Sequence, residues 1–228
     1  MKNIKLIYSI LFLSIVMGGK VQAQDWPNLN KYENANLKPT APGQKRIVFM
    51  GDSITEFWSV TDSEYFAGKP YVNRGISGQT TPQMLIRFRA DVIALKPVVV
   101  VILAGINDIA GNTGPATLDM IANNIFSMAE LAKANHIKVI LCSVLPAYDF
   151  SWKPNQNPAE KVVDLNKMIK KYADANGIIY LDYFSSMQDD RNGLKTAYSG
   201  DGVHPNKLGY QIMAPLAEKA ITEVLAKK

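Results

Sequence analysis

Residues 98–108 read Val-Val-Val-Val-Ile-Leu-Ala-Gly-Ile-Asn-Asp. The first six are apolar without interruption, and no polar residue alternates with them. A strand covered on both faces has this pattern, because neither face meets water. The run ends at Ala104-Gly105, and polar Asn107 and Asp108 follow at once. Four other stretches behave alike: Arg46–Met50 (RIVFM), Tyr71–Asn73, Lys138–Val144 (KVILCSV) and Ile178–Leu181 (IIYL).

Helix-period segments separate these runs. Thr81-Pro82 supplies a capping residue and a first-turn proline, predicting a helix to about Leu95. Leu118, Ile121, Ile125, Met128 and Leu131 form one apolar stripe, and Val162, Leu165, Met168, Ile169 and Tyr172 form another. Asn206 is placed to cap a last helix with the stripe Ile212, Met213, Leu216, Ala220 and Val224. Strand–helix alternation predicts right-handed crossovers. The expected fold is therefore α/β: a three-layer α/β/α sandwich, flavodoxin-like, with a five-stranded parallel sheet and helices on both faces.

The chain has 228 residues, 47% apolar and 20% charged, enough for one domain with a full core. Its one cysteine, Cys142, excludes an internal disulfide framework and a Cys-rich zinc site. Two histidines, His136 and His204, argue against a multi-histidine metal centre. Residues Met1–Ala23 read as a secretory signal peptide. Lys2 and Lys5 start it, Leu6–Met17 is almost wholly apolar, and Val21-Gln22-Ala23 is a small-residue cleavage site. An uncleaved anchor is the alternative, but the apolar run falls short of the ~20 residues of a membrane span. The expected location is periplasmic or extracellular, with cleavage near Ala23 and no stable membrane insertion afterwards. Without this segment the formal charge falls from +5 to 22 basic against 20 acidic residues. The basic excess marks export, so nucleic acid is not an expected partner. Gln24–Lys45, rich in Asn, Pro and Lys, reads as a surface arm or a linker, and 46–228 as the domain.

In a parallel sheet the ligand crevice lies beyond the carboxyl ends of the strands. The loops there carry Gly51-Asp52-Ser53, Gly75-Ile76-Ser77-Gly78, Gly105-Ile106-Asn107-Asp108 and, after a long connection, Asp201-Gly202-Val203-His204-Pro205. Together they hold a hydroxyl, a close-approach glycine, a side-chain amide and an Asp–His pair, the inventory of acyl transfer. Serine needs a base to take its proton, and imidazole titrates near neutrality. An aspartate accepting from the imidazole fixes its tautomer and stabilises the imidazolium.

The four motifs, in this order, resemble those of the SGNH or GDSL hydrolase superfamily, over essentially the whole chain from about Arg46. The pattern is similar to secreted bacterial esterases related to platelet-activating-factor acetylhydrolases and lysophospholipases. The resemblance implies Ser53 as nucleophile and Asp201 and His204 as orienting acid and base. It implies an oxyanion hole from the Gly78 N–H and the Asn107 amide, to which the Ser53 N–H adds a donor. No cofactor and no metal are implied. The expected activity is a serine esterase working through an acyl-serine, on short acyl groups such as acetyl, with a small-molecule or saccharide ester as substrate. A lysophospholipase or longer-chain lipase is the alternative within the reaction class. A non-catalytic carbohydrate-binding module on the same scaffold is the alternative outside it.

Other readings of the same residues compete. Ser53-Ile54-Thr55-Glu56 is also a capping box, S-x-x-E. Asp201-x-x-His204 is also a turn with an Asx bond. Gly75 reads as a turn glycine, Asp108 as a cap for the next segment, and Phe57 and Trp58 as core. His136, where a helix gives way to a strand, reads as a helix-end residue, and Cys142 as a buried thiol. Tyr148, Phe150 and Trp152 lie in a long loop on the active edge; they either shape the substrate site or cover the core. A flavin or nucleotide binder would want a phosphate cradle where Asp52 stands. An α/β-hydrolase would want a G-x-S-x-G elbow, which is absent. A zinc hydrolase would want an H-E-x-x-H ligand set, also absent.

Overall fold

The computed structural model describes residues 24–38 and 43–227; the expected signal segment lies outside them. Five strands form one sheet: β1 Ile47–Gly51, β2 Tyr71–Gly75, β3 Val99–Leu103, β4 Lys138–Cys142 and β5 Ile179–Leu181. All neighbours are parallel, in the order β2-β1-β3-β4-β5. β1 and β3 are buried at every position, as their unbroken apolar sequence requires.

The helices are α1 Glu33–Asn36, α2 Ser53–Thr61, α3 Thr81–Asp91, α4 Ile106–Ile109, α5 Leu118–Ala134, α6 Pro158–Ala175, α7 Phe184–Met187 and α8 Lys207–Ala226. α3, α5 and α6 pack side by side on one face, with α2 and α8 on the other. The α5 stripe buries Ile121, Ile125 and Met128, and the α6 stripe buries Val162, Leu165 and Ile169. α3 is shorter than its sequence predicts: it ends at Asp91, and Ile93–Leu95 continues as a 3-10 turn. No helix among the described residues is long and apolar enough to cross a membrane.

The strand order reverses between β1 and β3. That switch point opens a crevice beyond the carboxyl ends of the strands. Two glycines let α2 fold back tightly there. A Cβ on Gly51 would lie 2.1 Å from Thr55 Oγ1, and one on Gly75 2.1 Å from the Glu56 backbone nitrogen. Gly75 is thus a close-packing glycine at the end of β2, not the turn glycine its sequence suggests. Cys142 is a buried free thiol whose titration burial pushes upward.

Candidate active site

Ser53 is the first residue of α2. The cap of that helix is Asp52, whose Oδ1 accepts from the Ile54 N–H at 2.9 Å. The capping-box reading of Ser53 therefore fails by one residue. Asp52 satisfies the helix end, and the Ser53 hydroxyl is left to point elsewhere. Glu56 does not reach back to the cap either; it accepts from Ser77 N–H and Oγ and pairs with Lys31.

Ser53 Oγ lies 2.9 Å from His204 Nε2, and His204 Nδ1 lies 2.6 Å from Asp201 Oδ2. With the proton on Nδ1, His204 donates to Asp201 and its Nε2 accepts from Ser53. The segment 199–204 holds the carboxylate in place. Asp201 Oδ1 accepts from the N–H groups of Val203 (2.9 Å) and His204 (2.8 Å) and from Ser199 Oγ (3.1 Å). Partial burial opposes ionisation of Asp201. The hydrogen bonds from the His204 side chain and from the two N–H groups outweigh it and pull the pKa down to about 2. The Asx bond and the Asp–His contact thus coexist in one turn.

Gly78 follows β2 with φ +75°, and a Cβ there would find nothing closer than 3.9 Å. The space beside its Cα is open. Asn107 follows β3 on α4 and is buried; its Nδ2 donates one hydrogen to Gln79 O at 3.1 Å, leaving the second available. Asn112, which the sequence reading missed, joins the two loops. Its Nδ2 lies 2.9 Å from Asn107 Oδ1 and 3.1 Å from Gly78 O. Because that nitrogen can only donate, it fixes which way the Asn107 amide faces. Asp108 is buried and accepts from Thr81 N–H and Oγ1, so it braces the first turn of α3, whose own cap is Thr80, rather than capping the segment that follows it. Burial pushes its pKa up to about 6, against the opposing Thr81 hydrogen bonds.

The long loop divides its three aromatics. Phe150 is fully buried and is a core residue; it cannot line a substrate site. It stacks on Trp152, with centroids 5.2 Å apart. Trp152 is half-exposed and its ring centroid is 6.1 Å from that of His204. Tyr148 is exposed beneath the Arg191 guanidinium. Phe57, expected in the core, is 40% exposed, 5.5 Å from the His204 ring. Its position on α2 explains this: Trp58 takes the inward direction, and the neighbouring residue turns toward the crevice. The arrangement can pass a proton from a serine to an imidazole steadied by a carboxylate, beside an aromatic rim.

Residues 49–212 match the GDSL-like lipase/acylhydrolase family. A crystal structure from Bacteroides fragilis superposes with a TM-score of 0.86 at 49% identity, over 89% of this chain and 99% of that one. A GDSL-like lipase from Bacteroides thetaiotaomicron gives 0.84 at 47% identity, over 86% and 98%. An acetylxylan esterase of Geobacillus stearothermophilus is 24% identical over 201 residues, 75% of this chain and 90% of its own. The chain belongs to the GDSL-like lipase/acylhydrolase family. It is a carboxylic ester hydrolase.

Proposed function

We propose that the protein is an exported serine esterase that removes short acyl groups, acetyl foremost, from saccharides. The reading rests above all on the unbroken chain from Ser53 Oγ through His204 to Asp201 Oδ2. His204 takes the Ser53 proton as Oγ attacks the ester carbonyl. The oxyanion is met by the N–H groups of Ser53 and Gly78 and by the free hydrogen of the Asn107 amide, each such donor being worth about 2.7–4 kcal/mol of barrier. His204 then protonates the departing alcohol, leaving acyl-Ser53. Water, activated by the same imidazole, releases the acid and restores the hydroxyl.

The saccharide part has two supports. The alcohol must leave beside His204 Nε2, where Phe57 and Trp152 offer apolar rings to the C–H face of a sugar. The Geobacillus relative acts on acetylated xylan by its name. Export rests on the character of residues 1–23. A panel of p-nitrophenyl esters and acetylated xylo-oligosaccharides, with wild type and Ser53→Ala, tests the activity. Acetyl esters are expected to turn over fastest, and Ser53→Ala to be inactive. Rates rising with acyl length would instead establish a lysophospholipase or longer-chain lipase. Inactivity on every ester would overturn the reading. Export is tested by the N-terminal residue of protein recovered outside the cytoplasm, expected at Gln24.

A further inference from the structure

Gly78 has one direct tie, the bond that its carbonyl accepts from Asn112 Nδ2 at 3.1 Å. It has no side chain, its φ is +75°, and the space around it is open. A glycine so placed has wide conformational freedom, yet an oxyanion donor must be fixed before the reaction. Beyond that one bond its placement depends on its chain neighbours, and these are tied to the segment 26–36.

Four contacts tie the two together. The Tyr32 hydroxyl donates to Gly75 O. The Lys31 ammonium pairs with Glu56, whose Oε2 accepts from Ser77 N–H (2.6 Å) and Ser77 Oγ (2.7 Å). Gln79 Nε2 donates to Pro27 O at 2.7 Å. Gln83 Nε2 donates to Trp26 O at 2.8 Å, while its Oε1 accepts from Thr80 N–H. Residues 75, 77, 79 and 83 are thus all engaged, and Gly78 sits between two of them. Buried Pro27 and the Arg74 guanidinium lying 4.6 Å over the Tyr32 ring seat the segment.

Gln79 extends the linkage inward. Its Oε1 accepts from buried Arg87 Nε at 2.5 Å, and Arg87 Nη2 donates to Gly51 O at 2.8 Å, two residues before Ser53. Its backbone oxygen is the acceptor that orients Asn107. One residue therefore joins the N-terminal segment, the strand that carries the nucleophile and the second oxyanion donor.

We propose that residues 26–36 are a positioning element for the oxyanion hole: Pro27, Lys31 and Tyr32, acting through Gln79, Glu56 and Gly75, set where the Gly78 N–H and the Asn107 amide point. This rests on the oxyanion roles proposed above for Gly78 and Asn107. In this role the element acts on the rate of the acyl-transfer step rather than on binding.

The test is the pair Lys31→Met/Tyr32→Phe in the full chain, with and without Asn107→Ala. In the wild-type background kcat on an acetyl ester is expected to fall about tenfold, a donor displaced rather than removed, with KM within about twofold. In the Asn107→Ala background the same pair should cost clearly less, about threefold, since one of the two donors it positions is already gone and only Gly78 remains to be displaced. Lys31→Arg alone, which keeps the charge pair with Glu56, should hold the rate near wild type. Lys69→Ala, which removes the Lys69–Glu218 pair at the other end of the sheet, should leave kcat unchanged. Should the double variant not fold, Tyr32→Phe alone is read in the same way with a smaller loss. Unchanged kcat, or an equal fold-loss in both backgrounds, would overturn the inference. A wild-type rate for Asn107→Ala by itself would overturn the oxyanion assignment on which it rests.

Discussion

The two ends of the sheet carry one histidine each, and they treat it differently. At the carboxyl end His204 is three residues past an aspartate in one turn, with a hydroxyl from β1's loop on its other nitrogen. At the amino end His136 sits just past α5 with φ +59° and an exposed side chain. Its backbone N–H bonds to Lys133 O and closes the helix. The residue type is the same; what differs is whether crossovers bring a second and a third polar group to it. Parallel strands do so at one edge only, because the functional loops all leave the sheet there.

The carboxyl end also separates two aspartates. Asp201 is partly exposed but richly hydrogen-bonded, and it stays ionised down to about pH 2. Asp52 is fully buried beside Ser53. Burial raises its pKa from 3.8 to about 7, with the Ile54 N–H opposing, and its Oδ2 has no hydrogen-bond partner among the described residues. Depth of burial and the donors set against it, not nearness to the site, decide which carboxylate carries charge.

The largest effect expected is on the histidine pair. His204→Ala should lower kcat by about 10⁴-fold or more with the circular dichroism spectrum unchanged, while His136→Ala leaves kcat as it was. Equal losses would erase the contrast between the two ends. Asp201→Asn should cost about 10³–10⁴-fold in kcat, since the amide no longer fixes the tautomer; a loss under tenfold would show that the turn alone orients the imidazole. Asn112→Asp places a carboxylate against two acceptors, Asn107 Oδ1 and Gly78 O. A loss of about tenfold in kcat with little change in KM is expected, as for an oxyanion donor turned away.

The smallest effect concerns stability at Asp52. An acid whose pKa is raised on folding holds its proton more tightly folded than unfolded. Its contribution is thus most favourable below its ordinary value and declines as pH rises from about 4 to about 7. Asp52→Asn keeps an acceptor for the Ile54 N–H and removes the buried charge. Urea midpoints of the variant should therefore lose that decline and exceed wild type at pH 7.5. A variant with the same pH slope as wild type would place the titrating group elsewhere.

The strands were legible because burial on both faces leaves an unbroken apolar run, as at 98–103, and the four site motifs because each follows such a run. What stayed hidden depended on direction rather than residue type. Nothing in Tyr148–Trp152 tells Phe150, buried, from Trp152, half-exposed, because a loop has no period to read. Phe57 and Trp58 differ only by their angle around α2. The competing capping-box reading places the cap one residue late because Asp52 and Ser53 are both good caps and adjacent. The contacts of residues 26–36 rest partly on backbone oxygens of Trp26 and Pro27, which any sequence possesses. Asn112 was missed for a related reason: its role is set by the two loops it bridges, not by its neighbours in sequence.

The central claim is that Ser53 carries the acyl group between two half-reactions. Wild-type enzyme mixed with p-nitrophenyl acetate, quenched in acid within its first turnovers and digested, is expected to yield the peptide containing Ser53 heavier by one acetyl group, and Ser53→Ala to yield no acetylated peptide. Full turnover with no acetyl on Ser53, or acetyl found on another residue in both proteins, would contradict the account.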